Sequence, residues 1–202
     1  MAVASASTGQ PLLLSAAEIE YPPFCYLDSN GQLTGFSMEL LQATVRAMGW
    51  EVAFRLGPRN EVKGWLAQGK VQLLPLVGRT PEREQTFDFT VPYMSLHGAI
   101  VVRRGTTDIR SLADLRGRRV AVMRGDNAEE FLRREDRGIE IQTTATFVEA
   151  FRELAAGRCD AVVIQRLVAL RLLQEHNFAD LEVVQRPIDG FRQDFCFAVK
   201  EG

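Results

Sequence analysis

Residues 71–93, VQLLPLVGRTPEREQTFDFTVPY, are the segment around which the rest of the chain is organised. The segment opens with an apolar run at residues 71–77, which is too short for a full helix and predicts a buried strand. Thr80 and Pro81 then predict a helix start, because a hydroxyl N-cap is followed by proline at the first helical position. Apolar and polar side chains alternate over residues 87–91, which predicts a second extended segment.

Arg83 lies on this turn, just beyond the carboxyl end of the predicted strand. Its planar guanidinium could hold a ligand carboxylate, since its donors match two carboxylate oxygens at once. The alternative is that it only pairs with Glu82, Glu84 or Asp88 on a solvated turn, as exposed arginines commonly do. The residues alone leave both interpretations open.

Composition describes an ordinary soluble globular protein and excludes several classes of partner. The chain has 202 residues, enough for one large domain or two small lobes. A net charge of −2 argues against nucleic acid or an anionic membrane surface as a partner. No stretch approaches the roughly 18 uninterrupted apolar residues of a membrane span. The first ten residues, MAVASASTGQ, lack the basic and apolar regions of a signal peptide, so we expect a mature end there.

The cysteines and histidines give no sign of a metal site or a cofactor. The chain has an odd number of cysteines, Cys25, Cys159 and Cys196, and their spacing is not that of a metal site. We expect three buried, reduced cysteines, with a disulfide between Cys159 and Cys196 as the alternative. His97 and His176 are far apart in the sequence, and no phosphate-binding glycine-rich loop is visible, so we expect neither metal nor cofactor.

Both halves of the chain alternate strands and helices. The first half predicts a strand at residues 11–15, a helix ended by Gly49, a strand at 50–56, a helix capped by Asn60 and the strand that starts at Val71. The second half predicts strands at 98–103, 120–123, 139–143, 160–164, 181–184 and 195–199, and capping boxes at Ser111 with Asp114 and at Thr146 with Glu149. Two small α/β units with a ligand crevice between them are the simplest architecture.

An ordered set of motifs resembles a known family. YPPF at residues 21–24, the DSNG turn at 28–31, Gly35-Phe36 before a helix, TPER at 80–83 and FDFTVPY at 87–93 occur in the family's order. Residues 114–117, 120–125 and 157–160 match signatures of the family's second lobe. Over roughly residues 12–199 the chain is similar to the family 3 periplasmic solute-binding proteins.

The resemblance implies a two-lobed, type II periplasmic-binding-protein fold of the α/β class. Lobe 1 would comprise residues 10–99 plus 195–202, and lobe 2 residues 100–194. The ligand, typically an amino acid or a similar small polar solute, would lie in the cleft and close the lobes around itself.

The resemblance also assigns roles to individual residues. Arg83 would grip the ligand carboxylate, with help from backbone groups near Gly78. Tyr21 would pack against the ligand, and Glu18 matches an acidic position at the cleft. The helix start at Asn127 would offer backbone N–H groups to the same anion.

Two positions depart from the family's amino-acid binders. Gln165 occupies the position where an acid usually holds the α-ammonium of the ligand, and a neutral amide cannot form a charge-assisted bond. Met123 and Arg124 occupy the position that would grip a side chain or a second carboxylate. A carboxylate without an ammonium therefore fits better than an α-amino acid, although Glu18 could supply compensating negative charge.

Three functions are compatible with this resemblance. The family normally continues beyond the returning strand into C-terminal helices, whereas this chain stops at Gly202. We therefore expect a periplasmic, membrane-anchored sensor domain that joins the transmembrane and kinase segments of a parent receptor, through which two copies could form a homodimer. The first alternative is a free binding protein that delivers solute to an ABC transporter. The second is an enzyme like the cyclohexadienyl dehydratases, which would need a carboxylic acid in the cleft, and Glu18 is the candidate.

Overall fold

The computed structural model describes residues 11–18, 20–57 and 59–201. The strands are β1 (Leu12–Ala17), β2 (Glu20–Tyr21), β3 (Cys25–Leu27), β4 (Leu33–Thr34), β5 (Glu51–Leu56), β6 (Leu73–Gly78), β7 (Phe87–Phe89), β8 (Met94–Arg103), β9 (Arg119–Met123), β10 (Glu140–Thr144), β11 (Ala161–Gln165), β12 (Leu181–Val183) and β13 (Arg192–Lys200). The helices are α1 (Phe36–Ala47), α2 (Arg59–Ala67), α3 (Asn127–Glu135), α4 (Phe147–Ala155) and α5 (Arg166–Glu175). Short 3₁₀ turns lie at Arg83–Gln85 and Leu112–Leu115.

One mixed sheet runs through both lobes in the strand order β10-β9-β11-β8-β13-β6-β1-β5. Strand β1 pairs in parallel with β5 and β6 in lobe 1, and β9 pairs in parallel with β10 and β11 in lobe 2. Strands β8 and β13 are antiparallel to each other and join the two halves. The alternation of strands and helices in the sequence thus produces the two-lobed α/β fold that was predicted.

The central strands of lobe 2 are buried on both faces. Every residue of β11 is buried, and so are the last four residues of β9. Helices α4 and α5 cover one face of this sheet, and α3 covers the other. Strands covered in this way are continuously apolar, which is why the sequence signals them as uninterrupted runs.

Gly98 marks the point where β8 passes from one lobe to the other. Residues 94–97 pair with β13, and from Gly98 onward the strand pairs with β11. The N–H of Gly98 donates to the carbonyl of Phe191 at 2.8 Å, and a Cβ at Gly98 would overlap the Phe191 ring. A glycine is needed here because an aromatic ring lies directly against the backbone.

Most of the local predictions are confirmed. Ser111 and Asp114 form a capping box, the Thr146 hydroxyl accepts from the N–H of Glu149, and the DSNG turn closes through a bond from Gly31 to Asp28. The three cysteines are buried and free, so the alternative disulfide is wrong. Among the described residues, no helix is long and apolar enough to cross a membrane.

Three local predictions are wrong. Asn60 is not an N-cap, because α2 already begins at Arg59. Strand β8 begins at Met94 and not at Gly98, and β13 begins at Arg192 and not at Phe195. The extra residues of both strands pair with each other across the junction between the lobes.

Candidate functional site

The turn after β6 carries Arg83 into the interior. The Arg83 N–H lies 3.3 Å from the Thr80 hydroxyl and 3.1 Å from the Thr80 carbonyl, so Thr80 takes part in this turn. The helix is a short 3₁₀ turn that begins at Arg83 with Glu82 as its N-cap, two residues later than the predicted start at Pro81. Arg83 is only 5% exposed. The solvated-turn interpretation is therefore wrong: Glu82 pairs with Arg134, and Glu84 pairs with Arg79.

The Arg83 guanidinium reaches across to lobe 2. Its Nε and Nη2 donate to Oε1 of Glu130, on α3, at 3.0 and 2.8 Å. Nη1 donates to the carbonyl of Gly78 at 3.0 Å, and Nη2 donates to the carbonyl of Gly125 at 3.3 Å. The backbone of Gly78, which the resemblance assigns to the ligand, here contacts Arg83 itself. The carboxylate that meets the guanidinium is supplied by the protein.

Other groups join the lobes around this pair. The Thr80 hydroxyl donates to Oε2 of Glu130 at 3.2 Å, and Nζ of Lys63 on α2 donates to the Gly125 carbonyl at 2.6 Å. Sequence reasoning missed both Glu130 and Lys63. Each lies on a charged helix segment, where spacing alone indicates only a solvated face.

Tyr21 and Gln165 meet at a second contact between the lobes. The Tyr21 hydroxyl donates to Oε1 of Gln165 at 2.5 Å, and both side chains are buried. The Tyr21 ring lies 6.1 Å from that of Phe147 in lobe 2 and 6.2 Å from that of Phe195 on β13. Two residues predicted to touch the ligand therefore touch each other across the cleft.

The region where the two lobes meet around Arg83, Tyr21 and Gln165 is called the seam below. Two buried carboxamides at this seam have side-chain atoms without a hydrogen-bond partner. Neither side-chain polar atom of Asn127 has a hydrogen-bond partner within the described ranges, and the same holds for Nε2 of Gln165. A buried polar group without a partner costs about 1–3 kcal/mol, so these atoms mark where a bound polar molecule would gain most. Asn127 also presses against lobe 1, since a Cβ at Gly78 would overlap its side chain.

The remaining predicted residues have different surroundings. Glu18 follows β1 and is buried, and its carbonyl accepts from the thiol of Cys25. Arg124 is exposed, with Nη2 3.5 Å from the Thr143 hydroxyl, and the structure does not bring it into the buried group. The structure thus gathers Arg83, Gly78, Asn127, Tyr21 and Gln165 at the seam and leaves Arg124 outside it.

Tyr93, the last residue of the FDFTVPY motif, is partly buried in lobe 1. Burial raises the pKa of its phenol above the ordinary value, so the group stays protonated. The hydroxyl lies 2.7 Å from the carbonyl of Pro75 and 2.8 Å from the hydroxyl of Ser37. These bonds stay within lobe 1.

In the part of the chain that the structure describes, no group of three or more His, Cys, Asp or Glu side chains could hold a metal ion.

Two α/β lobes joined by crossing strands, with polar groups of both lobes meeting at the seam, define the class of two-lobed periplasmic-binding-type proteins. The model of the bacterial extracellular solute-binding proteins, family 3, matches residues 13–141. The chain belongs to this family, as the motif set indicated.

Similarity to individual binding proteins and sensor domains agrees with this family assignment. The chain is 30% identical to the L-cystine-binding protein TcyJ of Escherichia coli K12 over 82% of its own length and 63% of the length of TcyJ. A crystal structure of a histidine kinase sensor domain similar to periplasmic binding proteins matches with a TM-score of 0.89 and 33% identity, over 96% of this chain and 84% of that one. An ancestral arginine-binding protein bound to arginine matches with a TM-score of 0.86 and 33% identity, over 96% and 86%.

Proposed function

We propose that this chain binds a small carboxylate or amino-acid-like solute between its lobes and serves as the extracytoplasmic sensor domain of a membrane-bound receptor, with a histidine kinase as its output. The observation that carries the proposal is the buried guanidinium of Arg83, which projects from lobe 1 and receives a carboxylate from lobe 2. A site that already matches one carboxylate has the geometry to hold another.

The other seam residues supply the rest of the binding chemistry. The first N–H groups of α3 and the open carboxamide of Asn127 would contact the same anion. Tyr21 would cover one side of the ligand, and Glu18 would set the charge at the edge of the cleft. Gln165 offers no charge for an ammonium, which favours a solute without one.

The sensor role rests on the likeness to the histidine kinase sensor domain, which this chain matches over nearly its whole length. A sensor of this type signals by lobe closure, and moving a two-state equilibrium from 1:99 to 99:1 takes about 5.5 kcal/mol of differential binding. The transmembrane and kinase segments of the parent receptor would then be the partners, and pairing of two receptors would make a homodimer.

A second candidate is the solute-binding component of an ABC transporter, and the likeness to TcyJ favours it. The sequence of the complete gene separates the two: a transmembrane helix and a kinase domain would support the receptor, and a cleavable signal peptide without a further domain would support the transporter. The proteins to which this chain is similar are named for binding and not for catalysis, so they give no support to the dehydratase alternative.

The binding proposal is tested by a thermal-shift and calorimetry screen of L-arginine, L-cystine, L-glutamate and glutarate, the last being glutamate without its ammonium. A bound solute raises stability by about 2.7 kcal/mol at 100 times its dissociation constant. Arg83→Ala should abolish the response, whereas Arg79→Ala, on the exposed side of the same turn, should leave it unchanged. Unchanged affinity in Arg83→Ala would remove Arg83 from the site.

A further inference from the structure

We propose that Glu130 is a built-in competitor for the ligand: its carboxylate occupies Arg83 and holds the two lobes together until a solute carboxylate displaces it. Glu130 would therefore set both the population of closed, ligand-free protein and the affinity for the solute. This inference rests on the proposed role of Arg83 in binding a carboxylate.

The first argument is the number of donors that remain on Arg83. A guanidinium has five N–H groups. Four hydrogen bonds lead from Arg83 to acceptors of the protein, two to Glu130 and one each to the carbonyls of Gly78 and Gly125. A ligand carboxylate needs two neighbouring donors for a bidentate contact. Nε and Nη2 form the side-on pair of donors, so a carboxylate that binds Arg83 side-on must take the positions that Glu130 now occupies.

The second argument is that Glu130 is directed specifically at lobe 1. Its two oxygens accept from both Arg83 and Thr80, which lie on the same turn of lobe 1. Its neighbour Glu129 accepts instead from Arg133 and from the N–H of Gly125, both within lobe 2. Glu130 also lies in the first turn of α3, where the helix dipole favours a negative charge.

The third argument is burial, which distinguishes this ion pair from the pair of Glu82 and Arg134. Arg83 is 5% exposed and Glu130 is 24% exposed, so water and salt screen their attraction only in part. Glu82 and Arg134 also pair across the lobes, at 3.2 Å, but they are 47% and 44% exposed. An exposed pair contributes little. The pair of Glu82 and Arg134 joins the same two lobes and is therefore a matched control for the pair of Arg83 and Glu130.

Competition by Glu130 predicts the direction in which the affinity for the ligand changes when Glu130 is replaced. When the ligand-competent state is only partly populated, the apparent dissociation constant is the intrinsic one divided by the competent fraction. Glu130→Gln keeps the size of the side chain and removes its charge, so it weakens the competing contact. The variant should open the ligand-free protein and bind a carboxylate about tenfold more tightly, which corresponds to about 1.4 kcal/mol. Glu130→Asp keeps the charge on a shorter side chain and should lie between Glu130→Gln and the parent protein.

The test measures lobe separation without ligand, by the distance between spin labels at Gln68→Cys on lobe 1 and Gln142→Cys on lobe 2. Both positions are exposed, whereas the three natural cysteines are buried. Glu130→Gln should shift the distribution to longer distances, and Glu82→Gln should not. Identical distributions for Glu130→Gln and the parent protein would overturn the inference.

A second measurement distinguishes this inference from the proposed function. Calorimetry with glutarate and L-glutamate should show tighter binding to Glu130→Gln than to the parent protein, with circular dichroism confirming that both are folded. Opening of the lobes with unchanged or weaker binding would overturn the competition. Opening of the lobes without binding of either probe to any form would contradict the proposed carboxylate site and still support closure by Glu130.

Discussion

The hydroxyl of Tyr21 donates a hydrogen bond of 2.5 Å to Oε1 of Gln165, 144 residues further along the chain. Tyr21 belongs to β2 of lobe 1, and Gln165 ends β11 in lobe 2 and directly precedes α5. The bond uses the amide oxygen and leaves Nε2 without a partner among the described residues. Lobe 2 therefore presents a neutral, buried hydrogen-bond donor at this contact between the lobes.

Tyr21→Phe should loosen the contact between the lobes. The substitution keeps the ring and removes the hydroxyl, so the buried oxygen of Gln165 loses its donor. An unsatisfied buried acceptor costs about 1–3 kcal/mol, and we expect a loss of that order from the closed state. Small-angle scattering of the ligand-free protein should give a larger radius of gyration.

Tyr93→Phe is the matched control for this substitution. It also removes a buried hydroxyl, but the bonds of Tyr93 go to Pro75 and Ser37 within lobe 1. It should lower the melting temperature without changing the radius of gyration. If both variants changed the radius equally, Tyr21 would have no special role in closure.

Gly78→Ala should hold the lobes apart without unfolding either of them. A Cβ at this position would overlap the Asn127 side chain of lobe 2. The backbone of Gly78 is not in the left-handed region, so alanine can adopt its conformation. We expect unchanged urea unfolding, a larger radius of gyration and weaker binding of any solute that closes the lobes.

The double variant Gly78→Ala with Asn127→Ala tests the cause of that effect. Shortening Asn127 removes the atoms that the new methyl group would strike, so the radius of gyration should return to that of the parent protein. An expanded double variant would show that the alanine acts through lobe 1 alone.

The sequence predicts elements best where the burial of their residues follows a simple pattern. Strands β6, β9 and β11 lie between layers of helices, so their apolar runs are continuous and easily identified. The first residues of β8 and β13, MSLH and RQD, pair at the junction between the lobes with alternating burial. They contain no apolar run, so the sequence pattern predicts both strand starts too late.

The candidate site is also only partly predictable from the sequence. Arg83 and Tyr21 lie in motifs that can be identified from the sequence, whereas Glu130 lies in a charged helix whose two arginines are exposed. Nothing in the spacing of residues 129 and 130 distinguishes a glutamate that pairs within its own helix from one that crosses to the other lobe. Only the packing of α3 against the turn after β6 makes that distinction.

Gly98→Ala should destabilise the junction between the lobes. The added methyl group would overlap the buried ring of Phe191, which stacks on Phe131 with centroids 4.5 Å apart. Overpacking of a well-filled core costs about 1–3 kcal/mol, and urea unfolding should show a loss of that order.

Gly64→Ala makes the same chemical change as Gly98→Ala but should stabilise the protein. Gly64 lies inside α2, and a Cβ there would meet nothing within 4 Å. Alanine in a helix interior is more favourable than glycine by about 0.8–1.0 kcal/mol, so this variant should be more stable than the parent protein. Equal effects of the two substitutions would mean that the ring of Phe191 does not restrict position 98.

Asp160→Asn should remove a stabilising contribution that depends on pH. Burial raises the pKa of Asp160, but hydrogen bonds from the Arg119 backbone N–H, at 2.9 Å, and from its guanidinium, at 3.4 Å, outweigh burial and lower that pKa overall. A carboxyl whose pKa is lower in the folded state stabilises the protein above its unfolded pKa, about 3.9, and loses this effect as the pH falls through the folded value. Urea unfolding should show a deficit on the order of 1 kcal/mol for Asp160→Asn at pH 7, shrinking below about pH 4. Asp189→Asn, in an exposed pair with Arg186, should show almost no deficit at pH 7. A deficit for Asp160→Asn that stayed constant down to pH 2 would assign its effect to packing and not to charge.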